Sequence, residues 1–415
     1  MNPPSQLKST ENCILARTLV SLGFCKTKNV PQQYEIRIFD SIEGFREEWD
    51  KLIPVDHSLS STSYCIYEQS SPKNISYRYA LVSENNKPVL GAVFQSIRIK
   101  PENLRSPQKN KFLKYITELM LNLHEILILV NGNVYKDGLE GLYYDKNELD
   151  AEKANELFKN CIDLIEKKDG ISAVLLKDFP TNIIPTTSTK NIKLEDDILM
   201  NLSLDASWES LDNYINDLSK KYKARAQKIL LSGKEIAIRE LNSEQIEINK
   251  HEIHTLYNQV VARQPFTFGN LNENYFPAVK TYLGDKLSLK GLFLNDKLVA
   301  FYSTIEHDSK LEVHYVGIDY EYNQSHNLYF NIHFLALQDG ILKKKSTLEM
   351  GRTTLEAKAI LGCKPQYNNT YIEFKNSFAE CCFGYFKKNL AEPDSWKTRN
   401  PLKAVVNHQL ASIDI

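Results

Sequence analysis

Apolar and polar positions alternate along Tyr34-Glu-Ile36-Arg-Ile38-Phe39, the two-residue period of a half-buried strand. The period then lengthens: Phe45, Trp49 and Leu52 share one face of a helix predicted over 42–53. Strands are predicted at 77–83 and 88–97, joined by the turn Glu84-Asn-Asn-Lys87. A helical stretch at 111–123 leads to the apolar run 125–130. That run ends in Asn131-Gly132-Asn133 and a loop holding Gly138 and Gly141. A helix at 151–167 and a strand at 172–179 complete a first unit. From Trp208 the order starts again. A basic amphipathic helix (208–231) precedes a strand (235–239), a helix (243–263) and a hairpin of strands at 287–294 and 298–306. A strand at 311–318, a polar loop at 319–327 and a helix at 328–344 follow, with Leu328, Ile332, Leu335 and Leu342 at helical spacing. The pattern closes with a strand at 347–350, a helix at 355–361 and a strand at 370–374.

Each half therefore reads strand, helix, hairpin, strand, helix, strand, a duplicated α/β (α+β type) architecture of two mixed, twisted sheets flanked by helices. At 415 residues two domains are expected. Residues 1–33, with Pro3, Pro4 and Pro31, read as a flexible lead-in, 34–193 as the first domain and 194–415 as the second. The Thr- and Pro-rich stretch 181–193 serves as linker.

Composition narrows the function classes. Lys and Arg total 51 against 52 Asp and Glu, so net charge gives no bias towards nucleic acid or acidic membranes, and either would need a local patch. The seven cysteines have no regular framework, which predicts reduced thiols. With no signal-like apolar segment and no window near the roughly 20 residues a membrane span needs, the expected compartment is the cytoplasm. No His/Cys cluster has metal-ligand spacing, so no metal is expected.

The stretch 311–365 is the most suggestive, because a strand–helix–strand crossover gathers polar residues at its strand ends, where α/β domains hold ligands. Strict alternation puts Leu311, Val313, Tyr315 and Gly317 on one face, with Glu312 and His314 on the other. Gly351 permits a tight turn, Arg352 offers a planar fork for carboxylate or phosphate, and Lys358 follows on the next helix. The alternative is an ordinary internal ion pair. At the start of the 328–344 helix, Asn323, Ser325 and Asn327 are candidates for a phosphate-bearing group, or simply for a cap. Asn131 and Asn133 read equally as a turn and as an acceptor-binding loop. The helix bearing Tyr222, Arg225 and further lysines reads either as a solvated, dipole-matched helix or as a contact for an anionic partner.

The element order resembles the GNAT (Gcn5-related N-acetyltransferase) fold, and two units in tandem resemble the FemAB-like peptidoglycan-biosynthesis and acyltransferase group. The carrying segments are Ser219-Lys-Lys-Tyr222-Lys-Ala-Arg225-Ala-Gln-Lys228, Glu349-Met-Gly351-Arg352 through Lys358 to Gly362, and the Asn131–Gly141 loop. The resemblance implies two bacterial-type GNAT-like domains, the second holding donor and catalytic groups. It implies transfer of an acyl or aminoacyl group from an activated donor to an amine, with acyl-CoA or acetyl-CoA as co-substrate. A small-molecule, lipid or cell-wall-precursor amine would be the acceptor. Under that reading His314 and Glu349 are candidate bases and Tyr315 a candidate acid. Asn323, Ser325, Asn327, Arg352 and Lys358 would bind the donor, and Asn131, Asn133, Tyr222 and Arg225 the acceptor. The usual Arg/Gln-x-x-Gly-x-Gly/Ala pyrophosphate loop is absent, its place reading Tyr320-Glu-Tyr-Asn323-Gln-Ser-His326-Asn327. Charged tRNA as donor, or a non-catalytic scaffold with this fold, are the alternatives.

Overall fold

The computed structural model describes residues 33–54, 57–103, 125–136, 141–178, 192–194, 198–264, 267–368, 370–389 and 396–403. The lead-in before Gln33, the helix expected at 111–123, Gly138 and most of the linker lie outside the described residues.

Two mixed sheets flanked by helices make up the fold. The first contains β1 (Tyr34–Phe39), β2 (Ile75–Glu84), β3 (Lys87–Ile99), β4 (Ile126–Asn131), β5 (Leu142–Tyr144), β6 (Ala173–Leu176) and β7 (Ile192–Leu194). The second contains β8 (Ile198–Ser203), β9 (Ala237–Glu240), β10 (Leu287–Leu294), β11 (Lys297–Glu306), β12 (Lys310–Ile318), β13 (Thr347–Glu349) and β14 (Lys364–Tyr367). The remaining strand, β15 (Thr370–Phe374), belongs to the first sheet although it lies at the far end of the chain. The orders are β1-β2-β3-β4-β6-β15-β7 and β9-β10-β11-β12-β13-β8-β14, with β5 on the side of β3. Position by position they match. In each, one parallel pair (β4–β6, β12–β13) sits among antiparallel neighbours. The sequence pattern places 370–374 at the end of the second unit; its partners are β6 and β7. Chain order and spatial order part here because β7 and β8, like β14 and β15, are consecutive strands divided between the two sheets. The units are thereby laced together.

One apolar core runs through both units, from Trp49, Tyr64 and Tyr79 to Ile253, Tyr275, Phe276 and Phe301. The helix Leu328–Leu342 covers the other face of the second sheet through Leu328, Ile332, Phe334 and Leu337. Several expected helices are broken or new. The stretch 208–231 divides into Leu211–Asp217 and Lys220–Ser232, because Leu218 turns to extended geometry and bridges to Leu402. Asn249, at φ −96° and ψ 11°, divides 243–263. Helices Ser61–Ser70 and Tyr275–Leu283 are absent from the sequence expectation, yet they face each other across the two units.

Gly317 marks a close approach between β12 and its neighbours. A Cβ there would lie 2.1 Å from a Phe301 ring carbon and 2.8 Å from the Leu256 Cβ. Gly317→Ala is expected to destabilise the protein by about 1–3 kcal/mol through overpacking. An unchanged melting temperature would mean that Phe301 can swing clear.

Candidate active site between the two units

The alternation expected along β12 fails at one residue. Thr304 pairs with Val313 and Ser303 with Tyr315, so His314 is the extra residue of a β-bulge. The bulge inverts the facing of everything beyond it. Leu311 and Val313 pack toward the helix Leu328–Leu342, whereas Tyr315 joins the interunit core with Tyr257, Tyr275 and Phe276. Tyr315 therefore lies on the side of Glu312, opposite to its expected grouping with Leu311 and Val313. Bulges re-aim side chains in this way, and a period-two reading cannot see them.

The Glu312 side of β12 looks onto a cleft of about 1130 Å³ between the units, lined by His57, Tyr67 and Lys136 of the first and Tyr275, His307, Lys310 and Glu312 of the second, among others. Its floor is ionic. Glu312 and Glu349 are register partners on β12 and β13, both buried. Glu312 accepts from His307 Nε2 at 2.8 Å and lies 3.5 Å from Lys136 Nζ; Lys310 Nζ donates to Glu349 Oε2 at 2.6 Å. Burial pushes the Glu312 carboxyl up, but Lys136, His307 and His314 together outweigh it and hold the group far below the usual carboxylate range. Lys136 is the mirror case: burial opposes its charge, and Glu312, with Tyr67 and Glu349, raises its pKa above the ordinary lysine value. Glu312 is thus a fixed anion, not a proton acceptor.

His314 sits behind the cleft wall, with Nε2 2.8 Å from the Tyr275 hydroxyl and Nδ1 3.2 Å from Ser303 Oγ. Burial lowers its pKa to about 4, against the opposing pull of Glu312, so the ring is neutral at ordinary pH. Tyr275 lines the cleft, and burial keeps its phenol protonated far above the usual range. The pair shares one proton, on the hydroxyl of a residue that lines the cleft.

Of the remaining residues chosen from sequence, Tyr315 donates its hydroxyl to the Tyr135 carbonyl at 2.7 Å, and Glu349 is held by Lys310. Asn131 Nδ2 donates to the Val93 and Gly141 carbonyls, and Asn133 Oδ1 accepts from the Tyr135 N–H. These two asparagines shape the loop whose next residues, Tyr135 and Lys136, reach the second unit. The polar loop expected at 319–327 is a helix, Tyr320–His326, started by Asp319, whose side chain accepts from the Glu321 N–H. It ends at Asn327 in the left-handed region (φ 46°, ψ 43°), where the next helix begins. Asn323 Oδ1 accepts from the Tyr329 N–H at 3.0 Å, Ser325 donates to the Tyr322 carbonyl, and Asn327 Nδ2 donates to Ser232 Oγ. The helix start is thus engaged by its own chain, so a pyrophosphate there would have to displace Asn323. Arg225 packs on Phe330, 5.2 Å from the ring centre, and both line with Tyr222 a crevice of about 10 Å³, room for about one water.

Arg352 and Lys358 part company. Lys358 is 3% exposed and its charge faces the buried His333. Arg352 crosses to the first unit and pairs with Asp178. Asp178 also takes Lys177 Nζ at 2.6 Å, and that ammonium donates to the Lys136 carbonyl at 2.7 Å. A continuous polar chain therefore joins the Gly351–Arg352 turn to the cleft floor. The sequence pattern singles out none of Lys136, Tyr275, His307 and Lys310, and places Glu312 on the His314 face without a role. The signal available was Lys310-Leu-Glu312-Val-His314, charges alternating on a strand that hydrophobic pattern places inside the protein. Among the described residues there is no cluster able to hold a metal ion, and no helix long and apolar enough to cross a membrane.

No protein-family model and no curated protein sequence matches the chain. Its fold is similar to that of several solved structures. Over 84% of this chain and 99% of the other it superposes on FemX at 10% identity and TM-score 0.48. A tandem GNAT protein from the clavulanic acid biosynthesis pathway gives 9% identity and TM-score 0.48, over 83% and 99%. L-PGS from Bacillus licheniformis gives 9% and 0.43, over 79% and 96%. This likeness is one of fold.

Proposed function

We propose that the protein transfers an acyl or aminoacyl group from an activated donor to an amine bound in the interunit cleft. The observation that carries this reading is the Tyr275–His314 pair on the wall of a cleft whose floor holds a partly buried, paired ammonium, Lys136. The amine nitrogen attacks the donor carbonyl, a C–N bond forms, and the donor's C–S or C–O bond breaks. Its proton passes through the Tyr275 hydroxyl to neutral His314 and returns to the leaving thiolate or alkoxide. Lys136 faces the negative charge that develops on the carbonyl oxygen.

Tyr275→Phe is expected to lower kcat by about 10²–10⁴-fold, the usual worth of a positioned proton carrier, with the acceptor KM little changed. The assay offers acetyl-CoA, longer acyl-CoAs and charged tRNA separately with a panel of small-molecule, lipid and cell-wall-precursor amines, and reads the amide by mass. Full activity in the variant would remove the pair from the mechanism. The second reading, a binding protein without catalysis, is favoured by Asn323 occupying the helix start. No product with any of these donors, no thermal shift with any CoA species and no retention of charged tRNA would select it.

A further inference from the structure

The floor of the cleft pairs its charges. Lys136 faces Glu312, Lys310 holds Glu349, and on the wall Lys345 Nζ lies 2.9 Å from Glu306 Oε1. At the rim Lys286 faces solvent and Asp308 adds one acid. On the floor two ammoniums thus meet two carboxylates, so the floor has no net charge with which to select an anion or a cation. Each ammonium has three donors, and each carboxylate several acceptor sites, so both floor pairs can take a second partner without breaking.

We propose that the acceptor is a zwitterion, an amine that carries its own carboxylate, as a free amino acid or short peptide does. Its carboxylate takes the free N–H groups of Lys136 and Lys310, and its ammonium, before losing the proton, takes Glu312. A ligand with one charge only would bring an unmatched ion to a buried floor, where it costs most. The stacked Tyr67 and Tyr275 (6.0 Å, 28°), with Ile66 and Val279, offer an apolar wall for side chains. A cleft of about 1130 Å³ has room for more than one residue.

The proposal rests on the cleft being the acceptor site, and binding separates the two. The full chain, without donor, is titrated calorimetrically with Ala-Ala, Ala-Ala-amide, N-acetyl-Ala-Ala and N-acetyl-Ala-Ala-amide. Ala-Ala is expected to bind at least about tenfold more tightly than either singly charged form. Lys136→Gln should erase the preference over the amide, and Glu312→Gln the preference over the acetylated form. Should Lys136→Gln fail to fold, Lys310→Gln tests the same contact. A singly charged form binding within about twofold of Ala-Ala, or no saturable binding by any of the four, overturns the proposal. Zwitterion binding without turnover would keep it and sink the transferase reading, whereas equal turnover of simple amines would do the reverse.

Discussion

Replacing Lys136 with Met is expected to cost about 3–5 kcal/mol of folding stability at pH 7, because it strands Glu312 as a buried charge. The pair lies 3.5 Å apart, with the ammonium contributed by one unit and the carboxylate by the other. The pH dependence has a definite sign. In the native protein the Glu312 carboxyl is held below its ordinary value of 4.5, despite burial, by Lys136, His307 and His314. Its contribution is therefore complete above about pH 4.5 and is lost as the solution becomes more acid. In Lys136→Met burial acts with less opposition and the carboxyl titrates higher. The variant's deficit should be largest near neutrality and shrink as the pH falls to 5 and Glu312 gains a proton. Adding Glu312→Gln should restore most of the loss at pH 7, since both members of the buried pair are then neutral. Urea unfolding at pH 7 and pH 5 measures all three proteins. A deficit equal at both pH values would exclude Glu312 as its origin.

Why such a pair escapes sequence reading is instructive. The period of two along 34–39 and the 3.6-residue period along 328–342 report local burial, and both elements stand where the pattern puts them. The duplicated order of strands and helices is legible for the same reason. A β-bulge has no periodic signature, so one extra residue, His314, was enough to misassign the facing of Tyr315. Nor does local pattern tell which sheet a short strand joins; β15 is an ordinary apolar strand until its partners are known. Site residues divide along the same line. The Asn131–Asn133 loop and β12 each carry a local signal, but the meeting of Lys136 and Glu312, 176 positions apart in sequence, depends on the packing of the two units. At 319–327, polar composition suggested a loop, whereas Asp319 as N-cap and Asn327 in the left-handed region make it one short helix leading into another.

The second large effect concerns Arg352, which lies away from the cleft yet is tied to it. Its guanidinium is one of the cations holding Asp178, together with Lys177, and against burial they keep that carboxyl below its usual range. Lys177 in turn anchors the carbonyl of Lys136. Removing Arg352 frees Asp178 to draw Lys177 aside, and residues 133–136 lose a fixed end while the cleft itself keeps every side chain. Arg352→Ala should therefore lower kcat by up to about 10²-fold, the cost of misplacing a reacting group by about 1 Å, with the acceptor KM nearly unchanged. Asp178 has φ of 54°, so Asn, which tolerates that region, is the proper replacement. Asp178→Asn should give a similar loss, and the double variant should be no slower than the worse single one, because both break the same chain. A merely structural part for Arg352 predicts otherwise: stability would fall, the folded fraction would turn over at the native rate, and the two losses would add. The double-mutant cycle on kcat, read beside unfolding of the same proteins, separates these outcomes. Coupling in kcat would make the Gly351–Arg352 turn a positioning element for a lysine that belongs to the other unit.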